Sequence, residues 1–178
     1  MSFCFIILAG GKSHRFKSNI SKPYQKIAGK SLIEINVNKA RKFKEITKII
    51  IVYNKKDLKR LKSLKLKNVK FLAGGKTRQQ STFNALKYLY KKKGISKVLI
   101  HDAARPNFSH KLLKSIIFHI KKSKAVVPKI DIQDAIKQKI ETSFYEYILG
   151  KKRENLFLTQ TPQAFNLSEI YHLHKTNY

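Results

Sequence analysis

From Phe3 to Ala9 every side chain is apolar, and the run gives way at once to Gly10-Gly11 and then to Lys12, Ser13 and Arg15. An unbroken apolar run of this kind reads as a buried strand, and two glycines at its end open a loop whose backbone can approach an anion closely. The loop is not a P-loop, since GxxxxGK[ST] is absent, and it is not the GxGxxG dinucleotide fingerprint, whose later glycines are missing. Taken alone, the stretch fits an ordinary basic glycine turn as well as a phosphate site.

Further runs extend the pattern. Thr47 to Tyr53 is β-branched and almost wholly apolar, as expected of a strand covered on both faces, while Val69 to Ala73 and Lys97 to His101 are shorter strands. Ser31-Leu-Ile-Glu34 and Thr77-Arg-Gln-Gln80 have the spacing of capping boxes, which predicts a helix start at each. The first helix is expected to reach Phe43, a short one to cover Asp57 to Leu64, and the one after Thr77 to place Phe83, Leu86 and Tyr90 on one face. Leu112, Leu113, Ile116, Ile117 and Ile120 form the stripe of another, and Lys124 to Pro128 supplies a fifth short strand. Strands alternating with amphipathic helices predict an α/β fold with a Rossmann-like, doubly wound, mostly parallel sheet.

Past Pro128 the pattern changes. Residues 130–154 are polar and weakly alternating, which predicts a hairpin-like arm. Leu156 to Gln160 returns to core-like composition, Thr161-Pro-Gln163 reads as a turn, and Asn166-Leu-Ser-Glu169 caps a last helix. With no repeat and no low-complexity linker, residues 1–178 read as one domain, a length sufficient for a real core.

No apolar run approaches the ~20 residues of a transmembrane helix. No basic region precedes the first strand as a signal peptide would require, so the expected location is the cytoplasm. Cys4 is the single cysteine, which excludes an internal disulfide and reads as a small buried hydrophobe; His172 and His174 read as surface residues, not metal ligands. A formal charge of +29 attracts polyanions and small phosphorylated substrates alike. The lysines, however, are scattered over every segment and not gathered into an aromatic-interleaved stripe, so nucleic-acid binding is the secondary reading.

In an open α/β sheet, ligands bind outside the carboxyl ends of the strands. Gly10 to Arg15, Gly74 to Ser81 and Asp102 to Arg105 all fall at such ends and can face one crevice. Together they offer backbone N–H groups, the cations Lys12, Arg15 and Lys22, the Ser81 hydroxyl and one carboxylate, Asp102. That set suits a nucleoside triphosphate with Mg²⁺, which takes one or two carboxylates plus phosphate oxygens and water. The competing readings are an Asp102–Arg105 ion pair closing the turn before Pro106 and, for Ser81, packing at a helix start.

The order and spacing of Leu-Ala-Gly-Gly-Lys-Ser-His-Arg15 with Lys22-Pro-Tyr24, Gly74-Gly-Lys-Thr-Arg78 with Ser81, His101-Asp-Ala-Ala-Arg-Pro106 and Gln160-Thr-Pro-Gln-Ala-Phe165 resemble the 2-C-methyl-D-erythritol 4-phosphate cytidylyltransferase family. The first motif alone would also suit sugar-nucleotide transferases or a guanylyltransferase; the last two are narrower. The resemblance implies a nucleotidyltransferase that moves a cytidylyl group from CTP to methylerythritol phosphate, releases pyrophosphate and uses Mg²⁺. It implies that Arg15 and Lys22 stabilise the transition state and that Ala9, Gly10, Gly11 and Lys12 hold the triphosphate. Gly74, Gly75 and Ser81 would select cytosine and ribose, Asp102 would hold the metal with Arg105 nearby, and Arg153 and Thr161 would contact the acceptor. It implies as well a homodimer formed through the arm.

Four features depart from the family pattern. Ser13 stands where many members have a glycine, Pro23 replaces a polar residue, and Ala135 follows Asp134 where the family usually has an acceptor-contacting threonine. The family's later motifs, including a further metal-binding aspartate, would lie past Tyr178. The expectation is therefore the first part of a longer reading frame, such as a fusion to a second pathway enzyme, with an inactive protein as the alternative. Other readings are a cytidylyltransferase for a different polyol phosphate, such as ribitol 5-phosphate, and a basic nucleic-acid-binding module.

Overall fold

The computed structural model describes residues 1–11, 20–92, 94–141 and 146–176, with backbone alone for 140, 141 and 146–149. Strand β1 (Phe3–Ala9) leads through a small hairpin, β2 (Lys26–Ile27) and β3 (Lys30–Ser31), into helix α1 (Leu32–Ala40). Strand β4 (Ile46–Tyr53), helix α2 (Leu58–Ser63), strand β5 (Lys70–Ala73), helix α3 (Arg78–Tyr90), strand β6 (Lys97–Asp102) and helix α4 (His110–Ile120) follow in turn. After these come the short strands β7 (Ala125–Val126) and β8 (Lys129–Asp131), the hairpin β9 (Ile136–Glu141) and β10 (Glu146–Lys151), β11 (Phe157–Thr159), β12 (Gln163–Asn166) and helix α5 (Leu167–Thr176).

The main sheet runs β5-β4-β1-β6-β12-β7. Strands β5, β4, β1 and β6 are mutually parallel, and β12 alone runs against its neighbours β6 and β7. The chain goes outward from β1 to β4 and β5, then crosses back to β6 on the other side of β1. That reversal puts a switch point, and hence a crevice, at the carboxyl ends of β1 and β6.

The wholly apolar sequence of β1 follows from its position. Phe3, Phe5, Ile7 and Ala9 pack on one side with Ile33, Val37 and Ala40 of α1 and Leu113, Ile116, Ile117 and Ile120 of α4. Cys4 and Ile6 pack on the other with Ala85, Leu86 and Leu89 of α3 and with Leu167. Residues alternate between faces along a strand, so a strand covered twice can have no polar face. Cys4 is fully buried, as a small hydrophobe.

Local signals hold unevenly. The Ser31 capping box forms in both directions, Glu34 N–H donating to Ser31 Oγ at 3.2 Å and Ser31 N–H to Glu34 Oε2 at 2.7 Å. At Thr77 only half forms. Gln80 N–H donates to Thr77 Oγ1 at 3.0 Å, but the Gln80 side chain accepts from Lys76 N–H at 2.7 Å, one residue ahead of the cap. The Asn166 cap forms, its Oδ1 accepting from Ser168 and Glu169 N–H.

The C-terminal third needs correction. The apolar Leu156–Gln160 run is not a core strand: β11 pairs with β8 in a separate two-stranded sheet and leaves Phe157 and Leu158 each 54% exposed. The sheet strand is instead β12, which begins inside the expected Thr161-Pro-Gln163 turn and buries Ala164 against β6. The fifth short strand shrinks to the two-residue edge strand β7. The arm, in contrast, is a regular antiparallel hairpin, Ile136 pairing with Lys151 and Glu141 with Glu146.

Candidate active site

A crevice of about 690 Å³ opens at the β1–β6 switch point, lined at its floor by Leu8, Gly10 and Gly11 and at its sides by Lys22, Gly75, Ser81, Asp102 and Arg105. Lys76 and Arg78 complete its basic wall. The four described cations there face one carboxylate, so the field inside favours an anion of several charges.

Each residue is held by the fold behind it. Lys22 begins a short 3-10 turn, Lys22–Tyr24, whose Tyr24 ring is buried beneath the Arg60 guanidinium at 5.7 Å. Burial pushes the Tyr24 hydroxyl pKa up, and the nearby Asp57 carboxylate adds to the shift. Ser21 Oγ donates to Asp57 at 3.1 Å, and Asp57 is itself buried and paired with Arg60 at 3.1 Å. The turn that presents Lys22 is thus pinned to the start of α2.

The second glycine pair is fixed by contact. Gly74 N–H donates to the last carbonyl of β4, Tyr53 O, at 2.8 Å, and Gly75 N–H donates to Ser81 Oγ at 3.0 Å. A Cβ on Gly74 would fall 2.9 Å from Ser81 Oγ, closer than packed atoms tolerate, and a tight 3.2 Å from Tyr53 O. Ser81 therefore serves the turn as a hydrogen-bond acceptor, and its hydroxyl proton is the part left to act as a donor.

Asp102 stands at the end of β6. Its Oδ1 accepts from Arg78 Nη2 at 3.0 Å and Nε at 3.2 Å, and Arg105 Nε lies 3.5 Å from Oδ2. The Asp102–Arg105 pair that competed with a ligand role is present, then, but Arg78 makes the closer contact. Arg78 has no role expected from its motif alone; its place as the first residue of a helix opening onto the crevice is the signal for one. Arg105 Nη1 also donates to Gln160 Oε1 at 3.1 Å, and Asp102 N–H to Thr161 Oγ1 at 3.4 Å. Thr161 is buried and borders a second cavity that shares Ala104 and Arg105 with the first and reaches Pro128, Lys129 and Ile130.

Not every expected residue converges. Ala9 is buried in the core beneath the crevice. Arg153 lies at the foot of the arm, where its guanidinium donates to Gln133 O, and it does not line the crevice. Lys12 and Arg15 lie outside the described residues. His172 pairs with the Tyr90 hydroxyl at 3.1 Å, as a surface residue, while His174 is partly buried, and burial lowers its pKa.

His101, one residue before Asp102, is fully buried between Phe5 and Phe108, with its Nε2 2.9 Å from Arg105 O. That contact makes Nε2 the protonated nitrogen of a neutral ring. Burial drives its pKa down to about 4, against a smaller upward pull from the Arg105 carbonyl.

Among the described residues no cluster of three or more His, Cys, Asp or Glu could hold a metal by itself. A single carboxylate at the crevice wall still fits an ion such as Mg²⁺, which takes most of its ligands from phosphate and water.

Comparison with known proteins gives a consistent result. Residues 3–178 match the family described as IspD: 2-C-methyl-D-erythritol 4-phosphate cytidylyltransferase. The bifunctional enzyme IspD/IspF of Pelagibacter ubique is 46% identical over 173 residues, a match covering 97% of this chain and 45% of that protein. The 2-C-methyl-D-erythritol 4-phosphate cytidylyltransferase of Thermosipho melanesiensis is 40% identical over 178 residues, covering 93% of this chain and 74% of the relative. The crystal structure of 4-diphosphocytidyl-2C-methyl-D-erythritol synthase from Anaerococcus prevotii superposes with a TM-score of 0.80 at 31% identity, covering 99% of this chain and 74% of that one. The chain thus spans less than half of the bifunctional relative and about three quarters of the other two.

Proposed function

The chain belongs to the IspD family, 2-C-methyl-D-erythritol 4-phosphate cytidylyltransferase, and from that premise we propose that it transfers a cytidylyl group from CTP to 2-C-methyl-D-erythritol 4-phosphate in the cytoplasm, as a step of isoprenoid biosynthesis. The observation that carries this reading is the crevice at the β1–β6 switch point, with its glycine floor, its basic wall and the lone carboxylate of Asp102.

An oxygen of the acceptor phosphate attacks the α-phosphorus of CTP, the bond to the β-phosphate oxygen breaks, and pyrophosphate leaves. The reaction needs alignment and neutralisation of developing charge more than proton transfer. Lys22 and Arg15 supply that neutralisation, and the Gly10–Lys12 backbone receives the triphosphate. Gly74, Gly75 and Ser81 form the wall against which the cytosine and ribose are read. Arg78 joins them as a cation on the nucleotide side. Asp102 would hold Mg²⁺, whose contribution is to offset triphosphate charge, and a bound metal would compete with Arg78 and Arg105 for the same carboxylate. Arg105 and Thr161 border the second cavity, which would take the acceptor, and Arg153, at the foot of the arm, would contact the acceptor as the family resemblance implies.

A homodimer through the arm belongs to the same reading. It is supported by the exposed apolar side chains at the arm's base, Ile130, Leu156, Phe157 and Leu158, each between 41% and 54% exposed.

The test is pyrophosphate release from CTP with Mg²⁺, set beside ATP, GTP and UTP and with ribitol 5-phosphate as a competing acceptor. CTP and methylerythritol phosphate are expected to be preferred. Lys22→Ala is expected to lower turnover well over tenfold, each decade being about 1.4 kcal/mol of barrier. Unchanged single-turnover rates in Lys22→Ala and Arg15→Ala would remove the assigned roles. Steep salt-dependent binding to RNA without nucleotide specificity would replace the enzyme reading altogether.

A further inference from the structure

The loop that carries Asp102 and Arg105 is irregular from residue 103 to 109, so its carbonyls before Ser109, whose own accepts the first bond of α4, have no ladder or helix to pair with. Four of them are satisfied by side chains from elsewhere. Asn36 Nδ2 donates to Ala103 O at 2.9 Å; Lys39 Nζ donates to Pro106 O at 2.6 Å and to Phe108 O at 2.9 Å; and His101 Nε2 donates to Arg105 O at 2.9 Å. Asn36 and Lys39 are three residues apart and so share a face of α1, and the Lys39 ammonium also sits 5.1 Å from the centre of the Phe108 ring. The backbone donors of the loop point the other way: Ala103 N–H reaches Leu8 O of β1 at 3.0 Å, and Arg105 N–H turns back to Asp102 O at 3.0 Å.

We propose that Asn36, Lys39 and His101 are positioning residues for the proposed reaction, fixing the Asp102–Phe108 loop so that the Asp102 carboxylate and Arg105 guanidinium meet substrate in a preset place. None of the three lines the crevice. They act through the loop backbone, gripping it from behind while Asp102 and Arg105 face forward. Helix α1 is a firm base for this, since its N-terminus carries the complete Ser31–Glu34 box and its apolar face is buried under β1. A site held by packed secondary structure can keep its geometry within the narrow tolerance catalysis needs.

This inference rests on the cytidylyltransferase reading, and its test separates the two. Lys39 is only partly buried, so Lys39→Met is expected to fold, with a thermal midpoint close to wild type. With CTP and methylerythritol phosphate, kcat is expected to fall about tenfold or more while KM for CTP changes less than threefold. Lys39→Arg, which keeps a cation with several N–H donors, is expected to recover most of the loss, and Lys44→Met, on an exposed lysine, to show none. Amide hydrogen exchange without any ligand gives the second readout. Protection is expected to drop at Ala103 and Arg105 in Lys39→Met and to stay unchanged in β1 and β4. Wild-type kcat together with unchanged protection in Lys39→Met would overturn the proposal. A wild-type protein that releases no pyrophosphate would remove the activity reading, and the exchange experiment would still decide whether Lys39 holds the loop.

Discussion

The glycine pairs at the ends of β1 and β5 look alike in sequence and differ in what surrounds them. At Gly74 a Cβ would lie 2.9 Å from Ser81 Oγ and 3.2 Å from the Tyr53 carbonyl, so that glycine is required by the protein's own packing, whereas at Gly75 it would meet the Gln80 side chain, Cγ at 2.3 Å, which would have to swing away. At Gly10 an added Cβ would meet only ordinary contacts at 3.8 Å, and at Gly11 nothing described within 4 Å. The end of β6 resembles β5, with His101 packed to contact and the loop beyond it held at four carbonyls. Two strand ends are thus filled by the chain itself, while at the first no described residue crowds the glycines. Glycines that the described packing does not require are what a backbone approached closely by a ligand would call for.

The sharpest way to press this contrast is pH. The folded His101 pKa of about 4 lies below the ordinary value of 6.5. The unfolded chain therefore takes up the proton first as pH falls. Stability from this group is present above about 6.5 and is lost as pH drops toward 4, by about 3 kcal/mol in all. Denaturant titrations at pH 7 and pH 5 should show the loss in wild type and a smaller one in His101→Gln, which keeps a donor and does not titrate. Equal pH dependence in both would mean that the β6 end is less tightly filled than its geometry indicates.

Next in size is Gly74→Ala, expected to cost about 1–3 kcal/mol by overpacking against Ser81 and the β4 carbonyl. The effect is read as a lower thermal midpoint. The smallest stability effect is expected for Gly11→Ala, within about 0.5 kcal/mol of wild type. Its consequence should appear instead as a several-fold loss of CTP affinity by calorimetry. If Gly11→Ala destabilised the protein as much as Gly74→Ala, the difference between the two turns would collapse.

Most of the sheet was legible in the sequence because β1, Ile49 to Val52 of β4 and Val98 to Ile100 of β6 are apolar on both faces, a pattern that few other structures produce. The Ser31 and Asn166 caps were legible because their partners lie three residues away or fewer. The exchange of β11 for β12 was not. Phe157 and Leu158 look like core residues, yet what decides their place is the pairing of β11 with β8, some thirty residues distant. Ala164 and Phe165 are too short a run to announce a strand, and they become one because β6 offers a free edge. Arg78, Asn36 and Lys39 were missed for a related reason: each acts on a loop remote in sequence, Asp102 or the carbonyls beyond it. The placement of Gly10, Gly11, Gly75, Ser81, Asp102 and Arg105 around one crevice followed from the rule about strand ends, which depends on topology and not on side-chain detail.

Strand β12 has a further consequence for how the protein is made. It sits between β6 and β7, and among the described strands β7 pairs with β12 alone. During synthesis the stretch up to Val126 can dock its parallel strands and helices, yet β7 has nothing to pair with until Gln163–Asn166 leaves the ribosome. At about 5–20 residues per second the wait lasts a few seconds. Throughout it, the outer side of β6 is an unpaired edge whose partner β12 has yet to arrive, and an exposed edge is a template for another chain. The growing polypeptide therefore exposes the β6 flank on a known timetable, and that flank is where a chaperone would be of use to it.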